Sequence, residues 1–355
     1  ASTSSSPLLS TQTASLHSNQ TETKKQGIRV SPLVAAALRA RLPVVALEST
    51  IVAHGMPYPK NVEVALAVEA AVRAAGATPA TIGVVAGVPT VGLSPDEIEK
   101  LGKGGALGTV RKLSRRDIAA CVAAKADGAT TVSGTMLLAA AAGVRVFVTG
   151  GLGGVHRGAA ESFDVSADVP ELARSPVAVV CAFAKSVLDL PKTAQLLETA
   201  GVPVVGFGTA ELPAFFSANS GIAAPCTAAD AGEAAKIVEA HFRMRLGGLV
   251  IAVPPPRVEG VDLREIDRAV EGALARARAA AAEEEEGKRR AAGGEGRGGG
   301  ASSSVSGAKA TPFLLEAIRE ATGGKSLEVN VALVLNNAAV GGAVAVALAG
   351  GRRSC

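Results

Sequence analysis

Seven short runs rich in Val, Ile, Ala and Leu punctuate the chain: PVVALE (43–48), ATIGVVAG (80–87), ATTVSG (129–134), VRVFVTGG (144–151), VAVVCAF (177–183), VPVVGFG (202–208) and LVIAVPP (249–255). They lack the polar alternation of a half-exposed strand and are bounded by Gly or Pro, so each reads as a strand buried on both faces. The segments between them carry helical periodicity and start signals. Ser31-Pro32 opens one helix, Asn61 precedes VEVALAVEAAVRAAG, Ser94-Pro95-Asp96-Glu97 forms a capping box, and Ser114 precedes RRDIAACVAAKADG. Buried strands alternating with helices predict an α/β fold: three layers, α-β-α, around a central mixed, largely parallel sheet. In such sheets ligands gather beyond the carboxyl ends of the strands.

The 355 residues suit one large domain. Residues 1–27 are Ser/Thr-rich with no acidic side chain before Glu22, the composition of a disordered leader or a targeting remnant, and 28–355 read as a single domain. After Asp262 a long helix leads to an EEEE cluster. The stretch 283–309 then carries no pattern and reads as a flexible low-complexity insertion, followed by two helices, TPFLLEAIREATGG and the segment from Ser326 onward. Residues 331–351 are apolar enough for a membrane span, but Asn336, Asn337 and several glycines favour a buried, close-packed helix.

Composition narrows the function. Aromatics make up 3% of the chain with no Trp, which disfavours a base-stacking platform, and the net charge of +4 sits in short local runs. Neither a nucleic-acid polymer nor a membrane is the expected partner; a small molecule is. Cys121, Cys181, Cys226 and Cys355 form no CxxC pair, and His17, His54, His156 and His241 form no HxxxH pair. That weakens a zinc reading and suits a reducing, intracellular compartment, cytoplasm or organelle.

Candidate chemistry lies where the apolar runs end. Glu48 closes the first, followed by Ser49 and Thr50. An unpaired buried carboxylate costs on the order of several kcal/mol, so Glu48 requires something to meet. Lys185 follows VAVVCAFA; loss of hydration there would lower its pKa and free its amine for nucleophilic attack, the alternative being a lysine that snorkels or pairs. GGLGGVHRGAAESFDVSAD (150–168) joins glycines able to cradle an anion to Asp164, Ser166 and Asp168, oxygen donors for Mg²⁺ or Mn²⁺ or else helix caps. His156-Arg157 can hold an anion or form a surface pair. VRKLSRRD places Arg111, Lys112, Arg115 and Arg116 together, as a phosphate site or a solvated helix start would.

Taken in order, ALESTIVAHGMPYPKN, SRRD, GATTVSGTM, GGLGGVHRGAAESFDVSADVPELA, CAFAKSVLDL, LPAFF and TPFLL closely resemble the pseudouridine-5'-phosphate glycosidase family, also called indigoidine synthase A-like, from about residue 31 to about 342. The resemblance implies reversible cleavage of the C–C glycosidic bond of pseudouridine 5'-phosphate to uracil and ribose 5-phosphate, with a divalent metal, usually Mn²⁺, in a homotrimer. It implies Lys185 as the nucleophile that holds ribose covalently and Glu48 as the proton donor. Asp164 resembles the metal ligand. Ser166, Ala167 and Asp168 of SAD, together with Lys112, Val132 and Asn330, resemble the substrate contacts. Lys103 and Arg111 are rival cations to Lys112, and Asn336 and Asn337 rivals to Asn330. Another lysine Schiff-base sugar-phosphate lyase, or a non-catalytic sugar-phosphate-binding protein, is the alternative function.

Overall fold

The computed structural model describes residues 23–25, 27–291 and 310–351. Two strands open it, β1 (Thr23–Lys25) and β2 (Ile28–Val30), so ordered chain begins before Ser31. Ser31 is the expected cap: its side chain accepts from Val34 N (3.4 Å) at the start of α1 (Pro32–Arg39). There follow β3 (Val44–Leu47), α2 (Thr50–His54), α3 (Lys60–Ala74), β4 (Thr78–Val85), β5 (Val88–Val91), α4 (Pro95–Ala106), β6 (Arg111–Leu113), α5 (Arg115–Ala123), β7 (Gly128–Thr130) and α6 (Val132–Ala142). Next come β8 (Val146–Val148), α7 (Ala159–Ser162), α8 (Asp168–Leu172), β9 (Ala178–Cys181), α9 (Leu190–Thr199), β10 (Val204–Phe207), β11 (Cys226–Ala228), α10 (Ala231–Arg243) and β12 (Leu249–Ala252). Three helices complete the described chain: α11 (Leu263–Ala291), α12 (Ala310–Ala321) and α13 (Lys325–Gly351).

The strands form one sheet in the order β1-β2-β5-β4-β3-β8-β9-β12-β10-β11, with β7 branching from β4 and β6 pairing β7. Pairing is parallel from β4 through β3, β8, β9, β12 and β10 to β11, and antiparallel at β1–β2, β4–β5 and β4–β7. The sheet is thus mixed and largely parallel, as the continuous apolar runs require. Strands β3, β8, β9 and β12 are buried at every position.

Helices flank the sheet. α13 lies across β3, β8 and β9 between α3 and α10, while α6 and α1 pack on β3 and β4. α13 has the length and mean hydropathy (2.0) of a membrane span, yet half of its most apolar window is buried inside the protein. Gly341 and Gly342 explain the fit, since a Cβ at Gly341 would run into Val148 and one at Gly342 into Ala75. Glycines let the helix backbone approach the sheet and α3 closely.

Several local expectations change. Asn61 does not cap α3. It sits inside the helix, 2% exposed, and its amide donates to the carbonyls of Val52 and Gly102, stapling α3 to α2 and α4. ATTVSG divides after Thr130, because Thr131 caps α6 and turns the backbone into a helix. β6 takes up part of the basic run that a helix start also explained; Ser114 then caps α5 with Asp117 in a capping box. α11 continues to Ala291, past the point at which the patternless stretch was expected to begin, while 292–309, like 1–22 of the leader, lie outside the described residues.

Candidate active site

The parallel order β3-β8-β9 sets three strand ends side by side. Glu48 follows β3 directly, Thr149 and Gly150 follow β8, and Lys185 lies four residues beyond β9. A cavity of about 200 Å³ lies at these ends, and all nine residues implied by the resemblance line it: Glu48, Lys185, Asp164, Lys112 and Val132, with Ser166, Ala167, Asp168 and Asn330. They come from six separate parts of the chain.

Glu48 opens onto the cavity but is otherwise ringed by protein. Its Oε1 accepts a hydrogen bond from the Thr149 hydroxyl, which answers the demand for a partner. Burial pushes its pKa above the ordinary carboxylate value, opposed by the charge of Lys185 and the Thr149 bond. Glu48 therefore keeps its proton at a higher pH than an exposed carboxylate would. Lys185 is half-buried, and its Nζ donates to the Gly151 carbonyl (2.6 Å), which fixes where the amine stands.

Asp168 is 5% exposed and spends both oxygens on backbone: Oδ1 accepts from Ser133 N at the start of α6 (3.0 Å), Oδ2 from Gly153 N (2.8 Å). Its carboxylate ties the glycine-rich turn to a helix N-terminus. Ser166 Oγ accepts from Asp168 N (3.2 Å), and a Cβ at Gly153 would collide with Ser166 Oγ and Asp168 Oδ2. The glycine at 153 is a steric requirement of this knot. Asp164 lies 3.9 Å from His156 Nδ1, and both line the cavity. Burial lowers the His156 pKa, with Asp164 acting in the opposite sense.

The rival residues left open by the sequence stand in different places. Lys112 lines the cavity from β6. Burial and the charge of Lys185 lower its pKa. Lys103 pairs with Glu99 (2.7 Å) over the Tyr58 ring, and Arg111 is exposed. Asn330 lines the cavity, whereas Asn336 donates to Pro254 O (3.3 Å) and Asn337 to the carbonyls of Thr149 (3.0 Å) and Gly150 (3.4 Å). Arg115 is bound to buried Glu171 (2.5 Å) and Arg157 to Glu271 (2.8 Å); Arg116 and His156 are the members of their pairs that reach the cavity.

The cavity also holds groups that no spacing signal revealed, among them His54, Thr131 and Phe215. Among the described residues, buried side-chain polar atoms without any hydrogen-bond partner are Thr50 Oγ1, His54 Nε2, Ser186 Oγ, Asn330 Oδ1 and Asn337 Oδ1. Thr50, His54 and Asn330 all line this one cavity. Buried polar atoms left unpaired are costly, and three of these five belong to residues of this one cavity.

Asp164, with the His156 ring beside it, offers a divalent metal a hard carboxylate. Among the described residues no three His, Cys, Asp or Glu side chains cluster closely enough to form an all-protein site. Such a donor set fits a cation that keeps several waters and takes further oxygens from its substrate.

A lysine amine and a carboxyl group whose pKa burial raises face one cavity at parallel strand ends, where α/β enzymes gather their ligands. The chain belongs to the indigoidine synthase A-like family, whose pattern, described as "Indigoidine synthase A like protein", matches residues 33–289 and 299–347. It is 49% identical over 323 residues to a pseudouridine-5'-phosphate glycosidase of Chloroflexus aurantiacus, covering 90% of this chain and 98% of that one. A Roseiflexus protein of the same name is 50% identical, with 91% and 96% covered. Among solved structures, the prealnumycin C-glycosynthase AlnA in complex with ribulose 5-phosphate superposes with a TM-score of 0.78 at 34% identity, covering 94% of this chain and all of that one. An indigoidine synthase A-like protein of Thermotoga maritima gives 0.71 at 33% identity, with 86% and 93% covered.

Proposed function

We infer that this protein cleaves, reversibly, the C–C glycosidic bond of pseudouridine 5'-phosphate to give uracil and ribose 5-phosphate, a step of pseudouridine catabolism. The observation that carries the reading is that the Lys185 amine and Glu48, a carboxyl group whose pKa burial raises, line one cavity together with unpartnered polar groups. The names of relatives at about half identity agree with it, as does a pentose phosphate in a structural neighbour.

The chemistry needs that pair. A glycosidase acting on an oxygen leaving group protonates a lone pair and uses two carboxylates around an oxocarbenium ion. Carbon has no lone pair to protonate. As the Lys185 amine adds at C1', the C1'–O4' bond breaks, its electron pair goes to O4', and the proton lost by the amine ends there as the C4' hydroxyl. The C1'–C5 bond then breaks: its electron pair stays on C5, which takes a proton from Glu48, while the lysine nitrogen lone pair forms the iminium at C1'. Water adds to the iminium, releasing ribose 5-phosphate and the free amine. One water is consumed, and the base leaves as neutral uracil.

Other residues bind and position. Lys112 and Arg116 supply positive charge for the phosphate. Val132 lines the cavity at the start of α6, where a helix N-terminus favours an anion. Asn330 offers its unpartnered Oδ1. Asp168 holds the shape of the Ser166-Ala167 turn. In this reading Asp164 holds a divalent cation, Mn²⁺ or another, which when bound neutralises negative charge on substrate oxygens. Assembly as a homotrimer belongs to the same reading and rests on the family resemblance.

The test is uracil release from pseudouridine 5'-phosphate with and without Mn²⁺, comparing the native chain with Lys185→Ala. Metal-dependent release that falls by about 10⁴-fold or more in the variant is expected for loss of a covalent nucleophile. Folded, metal-loaded protein that releases no uracil would sink the reading and leave another Schiff-base lyase or a binding protein.

A further inference from the structure

His54 is the last residue of α2, and it lines the cavity. The Arg111 backbone acts on the ring in the sense that favours a ring proton, as a carbonyl beside a ring N–H does. Nε2 is buried and has no partner. Burial and the charge of Lys112 keep the imidazole neutral. A neutral ring has one N–H; with that proton drawn toward Arg111, the unpartnered Nε2 offers the cavity a lone pair. Thr50 stands four residues earlier, on the same face of α2, and its hydroxyl also lines the cavity without a partner.

An acceptor beside a hydroxyl donor does not suit a phosphate, which offers oxygens only. It suits a ligand edge on which N–H and C=O alternate, as they do around a pyrimidine-dione ring. We propose that His54 Nε2 accepts a hydrogen bond from a ring N–H of the departing base, with Thr50 donating to the adjacent carbonyl, so that His54 positions the base and selects for an unsubstituted N–H. The inference rests on the glycosidase reading above and names a specificity determinant of that same site. The uracil ring has two N–H groups, N1–H and N3–H, and N1–H is free only when the sugar is attached through carbon. A residue reading N1–H would therefore discriminate C-linked from N-linked nucleotides.

The experiment compares kcat/KM for pseudouridine 5'-phosphate and its N1-methyl and N3-methyl derivatives in the native protein and in His54→Phe, which keeps a ring and removes the acceptor. The native protein should prefer the parent over one derivative by about ten- to a hundredfold, the usual effect of a buried acceptor left unpaired. In His54→Phe the parent should lose that factor while the derivative keeps its native value, so the preference collapses. The derivative that shows this identifies which N–H is read. Should His54→Phe lose its native melting transition, His54→Ala is read by the same ratio. Turnover of the parent with the preference against both derivatives unchanged in a folded variant overturns the assignment. Native protein that never turns over the parent overturns the glycosidase reading itself.

Discussion

Two walls of the cavity are built on opposite principles. Around Asp168 every oxygen is spent: the carboxylate binds the amides of Ser133 and Gly153, and Ser166 accepts from the Asp168 amide. Elsewhere in the lining, Thr50 and His54 of α2 and Asn330 of α13 keep polar atoms buried and unpaired. The first wall is complete without a ligand and holds shape; the second is incomplete and waits for one. Substitutions on the first should therefore register in stability, and on the second in rate.

Glu48→Gln gives the sharpest contrast. It removes the acid and should lower kcat by about 10²- to 10⁴-fold. The pH profile supplies the sign. Because burial raises the Glu48 pKa, native activity should fall as pH climbs through that raised value, and this limb should vanish in the variant. Stability carries the same signature. The folded state binds the Glu48 proton more tightly than the unfolded state, so stability present below the ordinary carboxylate value is lost as pH rises toward the folded pKa. Glu48→Gln should flatten that slope in melting curves taken across pH.

Asp168→Ala reverses the pattern. It strands two amides, Ser133 N and Gly153 N, and should cost about 2–4 kcal/mol in denaturant unfolding. Asp168→Asn, which keeps one carbonyl oxygen, should recover part of this. An Asp168→Ala protein that melts like the native one would show that the glycine turn does not depend on its carboxylate. The smallest effects separate the cations. Lys112→Ala should raise KM for the phosphorylated substrate about tenfold or more, since a charged hydrogen bond is worth about 1.5–3 kcal/mol. Lys103→Ala should leave kcat and KM within about twofold, because that side chain is paired with Glu99 at the surface. Equal effects of the two would place the substrate cation wrongly.

Much of this was legible in the chain. Seven apolar runs located the buried strands, because a strand covered on both faces must be apolar at every position. Ser31, Ser94 and Ser114 marked helix starts, since capping needs a short side-chain oxygen next to orphan amides. β2, β5, β6 and β11 escaped notice because they are short and partly exposed, with no continuous apolar run. Asn61 misled for a related reason: the same amide that caps a helix also staples one when neighbouring carbonyls are within reach.

The site divides in the same way. The sequence by itself determined that Glu48 and Lys185 end buried strands and that Asp164, Ser166 and Asp168 share one oxygen-rich loop. Motif order then tied them to one family. Only the tertiary structure decided that β3, β8 and β9 are neighbours, that Lys112 rather than Lys103 reaches the cavity, and that Asp168 is saturated by amides while His54 is left with an open acceptor. The reason is physical. Strand and cap signals are local consequences of backbone hydrogen bonding, whereas strand order, pairing partners and unsatisfied atoms depend on contacts between residues distant in the chain.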